Sequence, residues 1–339
     1  MRSREAKTMH AEGSGRRGRG AVAIGITLLL AGCGGGGAPG SGNAPPGGMP
    51  APAGDAPGSG GTSSPPVLVT DLGVAPPDAA TPAPANRPTL PGIVLWLDAG
   101  QGLTVTQGKV SAWADGSSSR NDARQGNAQY RPVAATAANQ LPAVRFSGKV
   151  DPKNGGGDGG PFLTITDTDS LHWGTGDWSI FVVGSYHNPL DGTHNGALGA
   201  FFGRYDVPEI LFCGNWTLTE TTEQSALHLG LGEGNAGLES TRKSLNDGVV
   251  RLYVGRKAND TLELRINGVV DSHVSGPDVK NANVSNNKKD VGIGSFDGNT
   301  PIRALAGDIV ALVAVRGTIT DAQLKEVETY LMTQYHVTK

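Results

Sequence analysis

The stretch Val249 to Val274, VVRLYVGRKANDTLELRINGVVDSHV, reads as consecutive antiparallel strands. In its middle, Leu262, Leu264 and Ile266 alternate with Glu263, Arg265 and Asn267, which places apolar side chains on one face and polar ones on the other. Asn267-Gly268 then supplies the turn, because a two-residue type I′ loop needs positive φ at both central positions and these residues adopt it at least cost. With that loop Ile266 faces Val269. Asp271 would then oppose Leu264 on the core face, so the spacing predicts that the strand ends or bulges there. The unit implied is a half-buried antiparallel sheet.

Outward from this meander, short apolar runs recur between turn residues. Before it lie Ile93 to Leu97, Val110 to Ala114, Ala143 to Phe146, Phe162 to Ile165, Ser179 to Gly184, Ala200 to Gly203, Ile210 to Cys213 and Ala226 to Leu231. After it come Val291 to Gly294 and Ile309 to Val315. The last run is apolar without alternation, which marks a central strand covered on both faces. A helix follows. Thr320 with Gln323 forms a capping box, Ile319 and Leu324 a hydrophobic staple, and Leu324, Val327, Leu331 and Tyr335 a stripe that should dock on the sheet. The 52 glycines and few aromatics suit many short strands joined by tight turns. Pro91 to Lys339 has the length of one β-domain of roughly 200 to 250 residues.

The chain's beginning has a different character. Arg16, Arg17 and Arg19 precede an apolar run from Ala21 to Ala31, too short to span a bilayer but suited to the h-region of a signal peptide. Leu30-Ala31-Gly32-Cys33 follows and resembles the lipobox of bacterial lipoproteins. That resemblance implies a signal peptide over 1–32, diacylglycerol on the Cys33 thiol and membrane attachment. Gly34, standing where an Asp typically retains such proteins at the inner membrane, allows outer-membrane or surface sorting in a Gram-negative cell. Met1 and Met9 both remain open as starts. Residues 33–89 are dominated by Gly, Pro, Ala and Ser, with almost nothing to bury, so they read as a disordered tether, and 90–339 as the folded domain.

Composition limits the partners. The segment before Cys33 holds six basic residues (Arg2, Arg4, Lys7, Arg16, Arg17, Arg19) against Glu5 and Glu12, so removing it from totals of 28 basic and 31 acidic residues leaves a net charge of -7. Nucleic acid is thereby excluded as an expected partner. Of the two cysteines, Cys33 is assigned to lipid and Cys213 to a buried apolar run, so no intrachain disulfide is expected.

Several phrases in order resemble the laminin-G-like jelly roll of the concanavalin A-like lectin/glucanase superfamily. They are Leu95-Trp96-Leu97-Asp98-Ala99, Trp113-Ala114-Asp115-Gly116-Ser117, Arg131-Pro132, Leu141 to Gly148, Ile266-Asn267-Gly268, Ile293-Gly294 and Gly307-Asp308-Ile309. Arg316-Gly317 and Tyr335-His336 depart from the family's pattern. The resemblance implies an all-β fold, a two-sheet antiparallel jelly-roll sandwich with a C-terminal amphipathic helix. It also implies a concave face that holds glycans in many relatives, and calcium at the rim in some.

Candidate chemistry is sparse. Glucanases of this superfamily place carboxylates at alternate strand positions, and no acid-x-acid-x-acid occurs; Asp167-Thr168-Asp169 comes nearest and reads as a polar turn. Glu326 and Glu328 are assigned to the exposed side of the helix. His187 and His194 share a loop without a metal-binding motif. For calcium the aspartates to watch are Asp151, Asp158, Asp297 and Asp308, the last through the family phrase. Trp96, Trp113 and Trp178 are assigned to the core, while Trp173 and Trp216, with Asn215 beside the latter, sit in turn-like settings and are the candidate sugar platform. Three readings follow: an envelope binding module for glycan or another extracellular partner, a glycoside hydrolase or lyase with carboxylates from separate strands, and a structural or adhesive envelope protein.

Overall fold

The computed structural model describes residues 87–148, 160–186, 199–204, 211–217, 225–231, 237–242, 244–284, 289–300 and 304–338, with backbone alone at 211–217 and 225–226. All lie within the unit Ala75–Lys339. Their strands, in chain order, are β1 (Ile93–Asp98), β2 (Leu103–Thr106), β3 (Lys109–Trp113), β4 (Ala123–Arg124), β5 (Val133–Thr136), β6 (Pro142–Ser147), β7 (Leu163–Ile165), β8 (Trp178–Tyr186) and β9 (Ala200–Gly203). Then come β10 (Leu211–Thr217), β11 (Ser225–Gly230), β12 (Gly237–Glu239), β13 (Arg251–Ala258), β14 (Thr261–Ile266), β15 (Val269–Ser275), β16 (Val291–Ile293) and β17 (Ala306–Arg316). Helix α1 spans Pro277–Asn281 and α2 spans Asp321–Gln334.

Every pairing among these strands is antiparallel, and together they trace two layers. One runs β15, β14, β13, β8, β17; beyond β17, β6 pairs with its first half and β1 with its second, and β5 lies outside β6. The other runs β2, β3, β4, β7, β16, β9, β10, β11, β12. A single bridge between Lys109 and Val133 joins the two at an edge.

Side-chain alternation shows how the layers stack. Along β8, Trp178, Ile180 and Val182 enter the same core as Leu163, Phe202, Leu229 and Ile293 of the other layer. Phe181 and Val183 point the opposite way, into a second core closed by Leu324, Val327 and Leu331 of α2. β17 is divided likewise, with Leu312 and Ala314 inward and Val313 and Val315 outward. Its unbroken apolar run is therefore the signature of a strand buried on both faces. Each large side chain so buried contributes about 1.5 to 3 kcal/mol relative to exposure. The expected all-β, two-layer antiparallel sandwich with a C-terminal amphipathic helix is the observed fold.

The hairpin at the centre of the meander forms as its spacing requires. Asn267 and Gly268 have φ of 50° and 77°. The register runs Ile266 to Val269, Arg265 to Val270 and then Leu264 to Ser272, so Asp271 is the extra, bulged residue. Its carboxylate turns away from the core and accepts the backbone N–H groups of Thr241 and Arg242. The capping box of α2 is present, with Thr320 and Gln323 each accepting from the other's backbone.

Two local expectations are overturned. Glu328 is only 4% exposed. One residue after Val327 and four after Leu324, it still faces the sheet, where Oε1 and Oε2 accept from Arg265 at 2.6 and 3.1 Å. Gly214 to Thr217 is strand rather than turn, as part of β10, with a register shift between Cys213 and Trp216.

Candidate functional site

The edge of β1 is not left bare. Trp96 pairs with Val313 of β17 on one side. On the other, its N–H donates to Asp115 Oδ1 at 2.7 Å and its carbonyl accepts from the N–H of Gly116 at 2.9 Å. Asp115 organises the whole loop after β3, accepting also from the Ser117 N–H at 2.8 Å, the Ser117 hydroxyl at 2.6 Å and the Asn121 N–H at 2.8 Å. Asn121 in turn donates to Val94 O and the Ser170 hydroxyl. The two phrases Leu95 to Ala99 and Trp113 to Ser117 thus fold against each other because one aspartate bridges them.

Between this loop, the end of β1 and α2 opens a cleft of about 370 Å³, lined by Arg87, Trp96, Asp98, Gln101, Arg120 and Tyr330 among others. Such a volume lies at the lower end of the range of small-ligand sites. Trp96 forms its floor from the outer face of β1, with Tyr330 set edge-on at a centroid distance of 5.8 Å. Arg87 lays its guanidinium carbon 3.8 Å from the centre of the Trp96 ring. Burial holds the Arg87 guanidinium below its ordinary pKa. Burial, then the nearby Asp98 charge, pushes the phenols of Tyr330 and Tyr335 up. Asp98 Oδ1 accepts the Gly100 N–H at 2.8 Å.

The residues singled out in the sequence are not gathered here. Trp173 is 5% exposed and belongs to the inner core, stacked on Phe202 at 6.2 Å and beside Trp178 at 5.7 Å, so it offers no platform to solvent. Asn215 and Trp216 lie on β10, and their side chains are outside the described set, as are Cys33, Asp151, Asp158, His187 and His194. Asp297 caps its own turn, accepting from the Asn299 N–H and the Thr300 hydroxyl. Asp308 is wholly buried and held by Arg145, Nε and Nη2 donating to its two oxygens at 2.7 and 2.8 Å. That bidentate cation on its carboxylate occupies the face a calcium ion would need. Among the described residues no three His, Cys, Asp or Glu converge at metal-ligand spacing. Asp167 meets His172 at 2.8 Å and the buried Arg204 at 3.4 Å, joining the polar turn to β9.

Sequence reasoning placed Trp96 in the core and missed its second role. The available signal was that Trp96, Asp98, Gln101 and Arg120 fall in or beside the phrases Leu95 to Ala99 and Trp113 to Ser117; nothing local announces that Arg87 joins them from before β1 or Tyr330 from α2.

No protein-family model matches the chain, and no curated protein matches it in sequence. Among solved structures, the binding domain of Paraclostridial Mosquitocidal Protein 1 is similar at 9% identity and a TM-score of 0.48, over 70% of this chain and 52% of that one. The binding domain of botulinum neurotoxin serotype D is similar at 10% identity and a TM-score of 0.47, over 70% and 50%. The Ruminococcus gnavus IT-sialidase CBM40 is similar at 11% identity and a TM-score of 0.37, over 55% of this chain and 96% of that one. The chain spans about half the length of the first two. None of these likenesses decides a function.

Proposed function

We propose that this chain is a glycan-binding module carried on the cell envelope by lipid at Cys33, with the residues between Cys33 and Arg87 as tether and the sandwich as its folded head. What supports the glycan reading is the cleft over Trp96. It combines the partly exposed ring of Tyr330, over a floor of Trp96 covered by Arg87, with a carboxylate at Asp98, an amide at Gln101 and guanidinium groups at Arg87 and Arg120. A sugar presents C–H faces that stack on aromatic rings and hydroxyls that both donate and accept, so it matches such a mixed wall.

Binding fits the cleft better than hydrolysis does. Glycosidases need a pair of available carboxylates across the scissile bond. Of the two in this wall, Asp115 has both oxygens taken up by four donors from its own loop and β1. Asp98 is left without a partner for acid–base work.

A glycan array followed by calorimetry tests the proposal. The wild-type chain is expected to retain at least one glycan, and Asp98→Ala and Gln101→Ala each to weaken it about tenfold, the effect of a lost hydrogen bond in a desolvated site. No glycan retained by the wild type sinks the reading. Anchoring has its own check: Cys33→Ser should move the protein from the membrane to the soluble fraction.

A further inference from the structure

We infer that the ligand of this cleft carries an anionic group, a carboxylate or sulfate on a sugar, that docks between Arg87 and Arg120. The inference rests on the glycan reading and names the class of glycan.

The cleft's carboxylates are engaged within the chain, wholly at Asp115 and in part at Asp98, whereas its arginines have donors to spare. Asp115 is filled by four donors. Asp98 takes the Gly100 N–H and has the Tyr335 phenol beside it. Among the described residues, by contrast, neither Arg87 nor Arg120 makes a hydrogen bond or ion pair.

The rest of the fold shows how unusual that is for a sheltered arginine. Arg251 is paired with Asp247, Arg256 with Asp321, Arg265 with Glu263 and Glu328, and Arg204 with Asp167, while Arg131 donates to the carbonyls of Gln125 and Gly126. Arg87 is half-buried with a ring under it and no ion pair of its own, the charges of Asp115 and Asp98 reaching it without direct contact. Stacking on Trp96 uses the flat face of the guanidinium, and its N–H groups, the part that pairs bidentately with carboxylate or sulfate, lie in the cleft wall beside Gly116. Arg120 flanks the same space from a loop fixed by Asp115, its backbone at φ 55°. A partly desolvated guanidinium that no carboxylate pairs with directly gains from an incoming anion that takes its N–H groups. Asp98 and Gln101 on the same wall remain for the ligand's hydroxyl groups.

The test is calorimetric titration of the full chain with matched oligosaccharides: a neutral one, the same skeleton bearing a uronic acid, and its sulfate ester, with inorganic sulfate as a fourth probe. The acidic members should bind about tenfold or more tightly than the neutral one, the effect of one charge-assisted pair. In Arg87→Gln/Arg120→Gln that ratio should fall toward one, and added salt should narrow it in the wild type. A thermal melt of the variant guards against misfolding, and Arg120→Gln alone, at an exposed position, gives a second variant. Equal affinity for neutral and acidic sugars overturns the inference and leaves the glycan reading standing. Arginine-dependent binding of inorganic sulfate without any sugar upholds the anion site and removes the glycan reading. Binding of no probe removes both.

Discussion

A buried polar group is stabilised or penalised according to how many of its own hydrogen-bonding positions the chain has filled. Arg145 donates to both oxygens of Asp308, and Arg265 to both of Glu328; removing the arginine from either pair leaves a carboxylate that water cannot reach. Tyr253 belongs to a different case. Its ring packs with those of Tyr186 and Phe201 at 6.0 and 5.4 Å in the inner core, and burial pushes its phenol up to about 12, with Arg251 pulling the other way. Because the folded value lies above the ordinary 10.0, the neutral phenol's contribution is complete below pH 10 and is lost as pH rises through about 12. Chemical unfolding followed across that window should show stability falling steadily. Tyr253→Phe should flatten the decline while changing stability at pH 7 by less than about 1 kcal/mol; an unchanged alkaline limb would show that the phenol does not titrate with unfolding. At this scale the sequence is a poor guide to burial of polar residues. Glu328 reads as surface because its charge is visible and Arg265, 63 residues away, is not. Trp173 reads as a loop residue because the Ser170 carbonyl that takes its indole N–H is set by a turn rather than by a strand.

Elements were legible in proportion to their length and the firmness of their turns. The hairpin of β14 and β15 was fixed by three independent cues: alternation, Asn267-Gly268, and the mismatch at Asp271 that only a bulge resolves. Strands such as β4 and β12, of two and three residues, are too short for a period of two to show. In β10 the Gly214-Asn215 pair suggested a turn, and the backbone used it for a register shift instead. Asn267 does more than turn the chain: its Oδ1 accepts the Leu252 N–H and its Nδ2 donates to Thr338 O, tying the hairpin to β13 and to the chain after α2. Gly268 beside it has φ 77°, and a methyl there would meet only ordinary contacts, 3.5 Å from the Met332 sulfur. Strain of the backbone is then the whole penalty. Gly268→Ala should lower stability by about 1 to 2 kcal/mol in urea unfolding with an unchanged m-value. A loss several times larger would mean that Met332 and α2 cannot yield.

For the whole molecule, the architecture was legible and the cleft was not, for one reason: the fold follows from local periodicities, while the cleft draws on residues 87, 96–102, 114–120 and 330, united only when Asp115 bridges β1 to its loop and α2 caps the outer face. Its lip includes the first described residues. Pro88 is buried, Leu90 packs against the outer core, and Arg87 covers Trp96. The boundary that composition placed at residue 89 or 90 therefore cuts through residues that contact the sandwich. A chain lacking residues 1–82 should melt at the same temperature as the full chain, since residues 1–32 read as a cleaved leader and the Gly, Pro, Ala and Ser that dominate residues 33–82 supply no core. A chain lacking residues 1–91 loses a cation–π contact, a buried proline and a half-buried leucine, together about 1 to 3 kcal/mol, so it should melt several degrees lower. Calorimetry of the three chains separates the cases. If the shorter deletion already lowers the melting temperature, residues before Arg87 take part in the folded body; if neither deletion does, Arg87 is not held on Trp96 in solution, and its place in the cleft wall is lost with it.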